Sequence, residues 1–157
     1  MNCWRLVTHH RNPGVALAEY RRRGIIALGW GAIGDLRAWQ PDKPATIRRA
    51  LLNIPGYVRP QSATSGGQCL WDFYHEMHRG DLVVLALGKH GGVQRDVVEV
   101  TEEYEWIPTP VFPGNDLSEN DYHHIHRVKW RPDLDGWEFW RSRCPPPPWY
   151  RALIRLR

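Results

Sequence analysis

Cysteine is scarce. Cys3, Cys69 and Cys144 are an odd number with no close pair, which suits neither a disulfide framework nor a zinc knuckle, so they read as ordinary reduced thiols. No window reaches the roughly 18 consecutive apolar residues of a membrane-spanning helix. Met1-Asn2-Cys3-Trp4-Arg5 lacks the basic-then-apolar order of a secretory signal, and a cytoplasmic location is the expectation. Repeats, heptads and low-complexity tracts are missing apart from the run Pro145 to Pro148. Catalytic signatures are missing too. There is no Gly-x-Ser-x-Gly elbow, no phosphate-binding Gly-x-x-x-x-Gly-Lys-Ser/Thr loop, no His-Glu-x-x-His and no deaminase His-x-Glu with its cysteine pair. Gly29-Trp30-Gly31-Ala32-Ile33-Gly34 has the spacing of the dinucleotide-binding Gly-x-Gly-x-x-Gly, which by itself is a weak signal. The expectation is a binding protein without catalysis, cofactor or resident metal.

What the chain has in excess is flat amphipathic side chain: nine Trp and six Tyr in 157 residues. A core of this size does not require so many, so some rings are expected to face a ligand. Lys plus Arg is 21 against 17 Asp plus Glu, a net charge of +4. A long acidic partner is compatible with that balance. The length fits one domain over residues 1–157, with 133–157 a C-terminal appendage packing back on it through Trp149, Leu153 and Leu156.

Trp4 to Thr8 is rich in strand formers and reads as a first strand, ended by Asn12-Pro13-Gly14. Val15 to Arg23 reads as a helix with Leu17 and Tyr20 inward, arginines in its last turn and Gly24 as its stop. Ile25 to Leu28 is a buried strand running into Gly29-Trp30-Gly31. Ile47, Ala50, Leu51 and Ile54 make one apolar stripe after Pro44. Ser65 and Gln68 fit a capping box opening a further helix, with Leu70, Phe73, Tyr74 and Met77 as its stripe. Leu82 to Leu87 and Val93 to Thr101 read as a hairpin turned by Gly88-Lys89-His90-Gly91-Gly92, and Ile107 to Asn120 as a long surface loop. In the last strand, His124, His126, Val128 and Trp130 share one face, and Ile125, Arg127 and Lys129 the other. The order β-α-β-α-α-β-β-β predicts an α+β domain around a mixed or antiparallel sheet.

Five segments in that order resemble the PUA-like superfamily, and within it the EVE and YTH-like domains. They are Trp4-Arg5-Leu6, Ile25 to Leu36 with Trp30 just past a strand, Gly80-Asp81-Leu82-Val83-Val84, Gly92 to Val100, and Tyr122 to Trp130. The likeness covers residues 1–132. It implies a curled mixed sheet or partial barrel flanked by helices, with a pocket that takes one flipped, modified base such as a methylated adenine or cytosine. By the same resemblance Trp30 and Trp106 stand where such domains place aromatic walls. Asp35, or the backbone of Gly29 or Gly31, would read the base edge. The insertion Gln61 to Gln68 and the proline-rich C-terminus depart from the pattern. Such domains are often fused to a nuclease or motor, which implies a partner of that kind acting in trans on DNA or RNA.

Bland roles compete at each position. Trp30 could be a core indole, but glycine on both sides allows close approach and favours the pocket. Asp35 and Asp81 could be turn-forming carboxylates. Trp39, Trp71, Trp137, Trp140 and Trp149 are expected to be packing residues. Arg21, Arg22, Arg23, Arg48, Arg49, Arg127 and Lys129 are candidate phosphate contacts, any one of which could instead be a solvated surface charge. Two alternatives remain beside the reader: a generic RNA-binding PUA-like module, and a metal-dependent enzyme. The enzyme would use His123, His124 and His126, with His9-His10 nearby in kind, or the carboxylates Asp35, Asp81, Asp96 and Glu99.

Overall fold

The computed structural model describes residues 1–57, 60–88, 96–113, 121–143 and 151–156, the stretch 60–62 by its backbone alone. It is an α+β protein built on a mixed sheet, as the element order predicts. The chain divides into two compact units: one of residues 1–26, 77–103 and 126–157, the other of 27–76 and 104–125.

The first unit holds the strands β1 (Cys3–Val7), β3 (Leu82–Ala86), β4 (Asp96–Val100) and β7 (Leu153–Leu156). Parts of β2 (Ile25–Leu28) and β6 (His124–Trp130) complete its sheet, in the order β2-β6-β4-β3-β1-β7. β1 runs parallel to β3, with Trp4 opposite Val83, and antiparallel to β7, with Cys3 opposite Leu156. The β3–β4 and β4–β6 pairs are antiparallel. All five residues of β1 are buried because it is an interior strand, and a strand covered on both faces cannot show alternation. The helix α1 (Pro13–Arg23) buries Ala16 and Tyr20, whereas Leu17, expected inward, is half-buried. Gly24 ends it at φ +66°, a conformation glycine adopts without penalty.

The C-terminal segment forms a helix over Gly136–Arg143 and the edge strand β7. Trp140 joins Cys3, Leu82, Val84, Val97, Ile154 and Leu156 in one apolar cluster. Leu153 and Leu156 are buried as expected; Trp149, Cys144 and Pro145 to Pro148 lie outside the described residues. Trp137, expected to pack, is instead 40% exposed beneath the Arg141 guanidinium. Lys89 to Gly92 of the hairpin turn, the strand residues Val93 to Arg95 and the loop residues Gly114 to Asn120 also fall outside the described residues, whereas Gly88 is described.

The second unit holds α2 (Leu36–Trp39), α3 (Pro44–Leu52), α4 (Pro60–Trp71) and the short strand β5 (Glu105–Trp106), which pairs with β6. Ile47 and Leu51 are the buried residues of α3. The capping box is a correction. α4 begins at Pro60, so Ser65 is mid-helix with Oγ 3.9 Å from Cys69 Sγ, and Gln68 donates to Asp72 rather than closing a box. The "insertion" is thus helix. Gly66 and Gly67 let α3 lie close to α4, since a Cβ on Gly66 would fall 2.8 Å from Leu51 Cδ1 and one on Gly67 3.0 Å from the Pro44 carbonyl. After Trp71 the helix widens into a π-turn over Asp72–Glu76.

Candidate nucleic-acid-binding site

Trp30 follows β2 and has φ +59° and ψ +32°. A left-handed backbone costs an ordinary L-residue about 1–2 kcal/mol, and it persists only where neighbours over-determine it. Four contacts do so. The Trp30 carbonyl accepts from His124 Nε2 at 3.2 Å and from the Ile33 amide at 3.3 Å. The next amide, Gly31 N–H, donates to the Asp121 carbonyl at 2.8 Å. The indole lies against α4, where a Cβ on Gly66 would come within 2.8 Å of Trp30 Cε2.

The flanking glycines serve a different purpose from the one expected. A Cβ on Gly31 would sit 2.2 Å from the Asp121 carbonyl and 2.3 Å from His123 Cδ2; one on Gly29 would sit 3.3 Å from Asp121 Oδ1. The chain that approaches closely there is the protein's own segment 121–123. Gly31 also accepts from Trp106 Nε1 at 3.2 Å, so both its backbone polar groups are engaged. Trp106 stacks on His123, centroids 5.1 Å apart and planes 10° from parallel. Both Trp30 and Trp106 are half-buried. The Trp106 indole therefore reaches the backbone turn that carries Trp30, while the Trp30 indole itself lies against α4.

Behind them lies a buried polar layer that sequence reasoning missed. Tyr104 Oη donates to His124 Nδ1 at 2.6 Å and accepts from the Leu36 amide at 3.3 Å. The Trp30 carbonyl can only accept, so the proton of His124 is on Nε2. Burial pushes the His124 imidazole down to about 4, keeping it neutral. Tyr57 Oη donates to Asp121 Oδ2. Burial drives the Asp121 carboxyl up to about 6, against hydrogen bonds from Tyr57 and from the Trp30 and Gly31 backbone that favour its charged form. Burial likewise raises the Tyr57 and Tyr104 phenols above their ordinary range. Only His124 among these could have been flagged from the sequence, by its place on the inward face of a strand.

Asp35 caps α2, accepting from the Arg37 amide at 3.0 Å and pairing with its guanidinium at 2.9 Å. That pairing holds its carboxyl below the usual range. Arg37 in turn lies over the Tyr104 ring at 5.8 Å. Arg48 and Arg49 are exposed on α3 in this same unit. Arg21, Arg22, Arg23, Arg127 and Lys129 belong to the first unit, where Arg21 pairs with Asp96, Arg22 with Glu19 and Lys129 with Glu99. Trp39, expected to pack, is 38% exposed, and Trp71 stacks on His75 at 4.1 Å.

The candidate metal ligands do not converge. His123 Nδ1 meets the Ile107 carbonyl, His126 Nδ1 meets the Glu102 carbonyl, and both ring nitrogens of His124 are bonded as above. Asp81 accepts N–H bonds from Asn2, Trp4 and His78, and Glu99 pairs with Arg131 and Lys129. Among the described residues no three His, Cys, Asp or Glu side chains gather so as to hold a metal ion. Among them, too, no helix is long and apolar enough to cross a membrane.

These features define an α+β protein with an aromatic cluster anchored on one backbone turn. The chain belongs to the family described as a domain of unknown function, DUF8426, which matches residues 4–138. A search of curated proteins finds no match.

Proposed function

We propose that this protein is a nucleic-acid-binding reader of the PUA-like kind, related to EVE and YTH-like domains, that accepts one flipped, modified base against Trp30 and Trp106 without chemistry of its own. The mixed sheet with flanking helices is compatible with the curled partial barrel of that class. The observation that carries the reading is the hydrogen bond of the half-buried Trp106 indole to the Gly31 carbonyl, next in sequence to Trp30, which is itself half-buried and on a left-handed backbone.

Taking a base out of a stack costs a few kcal/mol. Stacking on an aromatic side chain returns about 1–3 kcal/mol per base, and burying one added methyl about 0.8 kcal/mol. Two indoles alone therefore discriminate a methylated base only modestly, and a polar group must read its edge. With the Gly31 amide and carbonyl engaged, the Asp35 carboxylate, which also pairs with Arg37, would read the base edge through its remaining lone pairs. Arg48 and Arg49, in the same unit as Trp30 and Trp106, would hold flanking phosphates. A cytoplasmic protein of this kind would mark modified DNA or RNA for a nuclease or motor acting in trans.

The test is a binding screen of short oligonucleotides carrying N6-methyladenine, 5-methylcytosine or 5-hydroxymethylcytosine against unmodified controls, repeated with Trp30→Ala and Trp106→Ala. The expected result is preference for one modification, lost in both variants. Equal affinity for every oligonucleotide, unchanged by either substitution, overturns the reading.

A further inference from the structure

His123 stands just before β6, and three contacts fix its half-buried ring. Its Nδ1 lies 2.7 Å from the Ile107 carbonyl, and the Ile107 amide donates to the His123 carbonyl at 2.9 Å, so side chain and backbone are tied to the same residue. Its Cδ2 edge packs on Gly31, where a Cβ would fall 2.3 Å from that atom. One face lies on the Trp106 indole, centroids 5.1 Å apart and planes 10° from parallel. His123, Ile107, Gly31 and Trp106 all belong to the second unit.

A carbonyl can only accept, so the Ile107 bond places the imidazole proton on Nδ1. In the neutral ring Nε2 then carries a lone pair and no hydrogen, and acts as an acceptor alone. Nε2 has no hydrogen-bond partner among the described residues, and it is not sealed in the interior. Other polar groups at this turn are engaged: the Gly31 amide and carbonyl, the Trp106 Nε1–H and the Trp30 carbonyl all have partners. Nε2 is bonded to Cδ2, the atom packed on Gly31, so the open acceptor emerges beside the turn that carries Trp30. An imidazole is smaller than an indole, and the offset of the two rings leaves part of the Trp106 face beyond the His123 edge. A base stacked on that part would lie nearly in the imidazole plane, which is also the plane of the Nε2 lone pair.

Given the base-reading function proposed above, we propose that His123 selects the class of base. Its Nε2 accepts the N–H of an exocyclic amino group, so the site takes amino-bearing bases of the adenine or cytosine type and disfavours bases that present an oxygen there. An oxygen facing the Nε2 lone pair leaves two acceptors without a donor, whereas an amino N–H satisfies the nitrogen. A methyl on the adenine amino group leaves one N–H for this bond, and a methyl on the cytosine ring carbon leaves both. The bond to Ile107, the packing on Gly31 and the stack on Trp106 hold the imidazole before a base arrives, which lowers the ordering cost of binding.

Fluorescence anisotropy of short oligonucleotides carrying a single variable base between abasic sites tests it with the full chain. The bases form two pairs: N6-methyladenine against 6-methoxypurine, in which an oxygen replaces the N–H, and 5-methylcytosine against thymine, in which a carbonyl replaces the amino group. Wild type is compared with His123→Asn, whose amide can still donate to the Ile107 carbonyl but has no atom at the Nε2 position, and with His123→Phe, which keeps the stack on Trp106. Circular dichroism checks the fold of each variant. In the expected result wild type binds the amino-bearing member of at least one pair about tenfold tighter than its partner, and the ratio falls toward one in both variants. Binding that is lost in Trp30→Ala but equal for the two members of each pair overturns the role of His123 and leaves the reader standing, as does a ratio that neither His123 substitution changes. Absence of binding to every probe overturns both.

Discussion

Replacing Asp121 by asparagine separates two buried proton equilibria that oppose each other. The Asp121 carboxyl is raised from 3.8 to about 6. Between those values the folded protein holds a proton that the unfolded chain does not. Its contribution is therefore fully present below pH 3.8 and is lost as pH rises through about 6. The His124 imidazole is depressed from 6.5 to about 4. Its contribution is present above pH 6.5 and is lost as pH falls through about 4. At about 1.4 kcal/mol per tenfold change in proton affinity, each displacement corresponds to about 3 kcal/mol, and the two nearly cancel in the wild-type protein. Urea unfolding from pH 7 to pH 4 measures this as difference curves, which remove the titration of surface carboxylates common to both proteins. Wild type should gain about 3 kcal/mol relative to Asp121→Asn on acidification, and lose about 3 kcal/mol relative to His124→Gln. Flat difference curves, or curves of the same sign, would refute the assignment of a protonatable Asp121 beside a neutral His124.

Gly66→Ala drives a methyl to within 2.8 Å of both Leu51 and the Trp30 indole; overpacking of this kind costs about 1–3 kcal/mol. Thermal unfolding should show that loss, together with a changed tryptophan emission as the Trp30 ring is displaced. Trp4→Phe removes the indole donor from the buried Asp81 carboxylate at 2.9 Å, and should destabilise by about 1–3 kcal/mol in chemical denaturation. Trp106→Phe keeps the stack on His123 but deletes the bond to the Gly31 carbonyl. It should cost about 1 kcal/mol in stability and weaken base binding more than the Trp39→Phe control. Oligonucleotide affinity should fall by about 0.9 log units per log unit of salt for each phosphate neutralised in duplex. A flat salt response would remove the arginines from the interface.

Local pattern was enough to locate most elements. The stripe around Ile47 and Leu51, the glycine stop at Gly24, the apolar run Leu82 to Ala86 and the two faces of β6 each depend on neighbours a few residues apart, and such neighbours are set by helix and strand periods. The start of α4 was not legible, because a Ser and a Gln three apart look like a cap whether or not a helix has already begun. The site was half legible. Trp30 and Trp106 stood out as indoles beside strands, but the reason for the glycines at 29 and 31 lay some ninety residues away in segment 121–123.

From the sequence alone came the periodicities, the punctuation by glycine and proline, and the surplus of aromatic and basic side chains. The tertiary structure alone decided that Trp30, and not a glycine, takes the left-handed backbone, and that His124 stays neutral between Tyr104 and the Trp30 carbonyl. It also decided that Asp121 sits buried against Tyr57. Dihedral strain and proton affinity at these positions depend on which groups meet through space and on how much water is excluded. Neither quantity is a property of spacing along the chain.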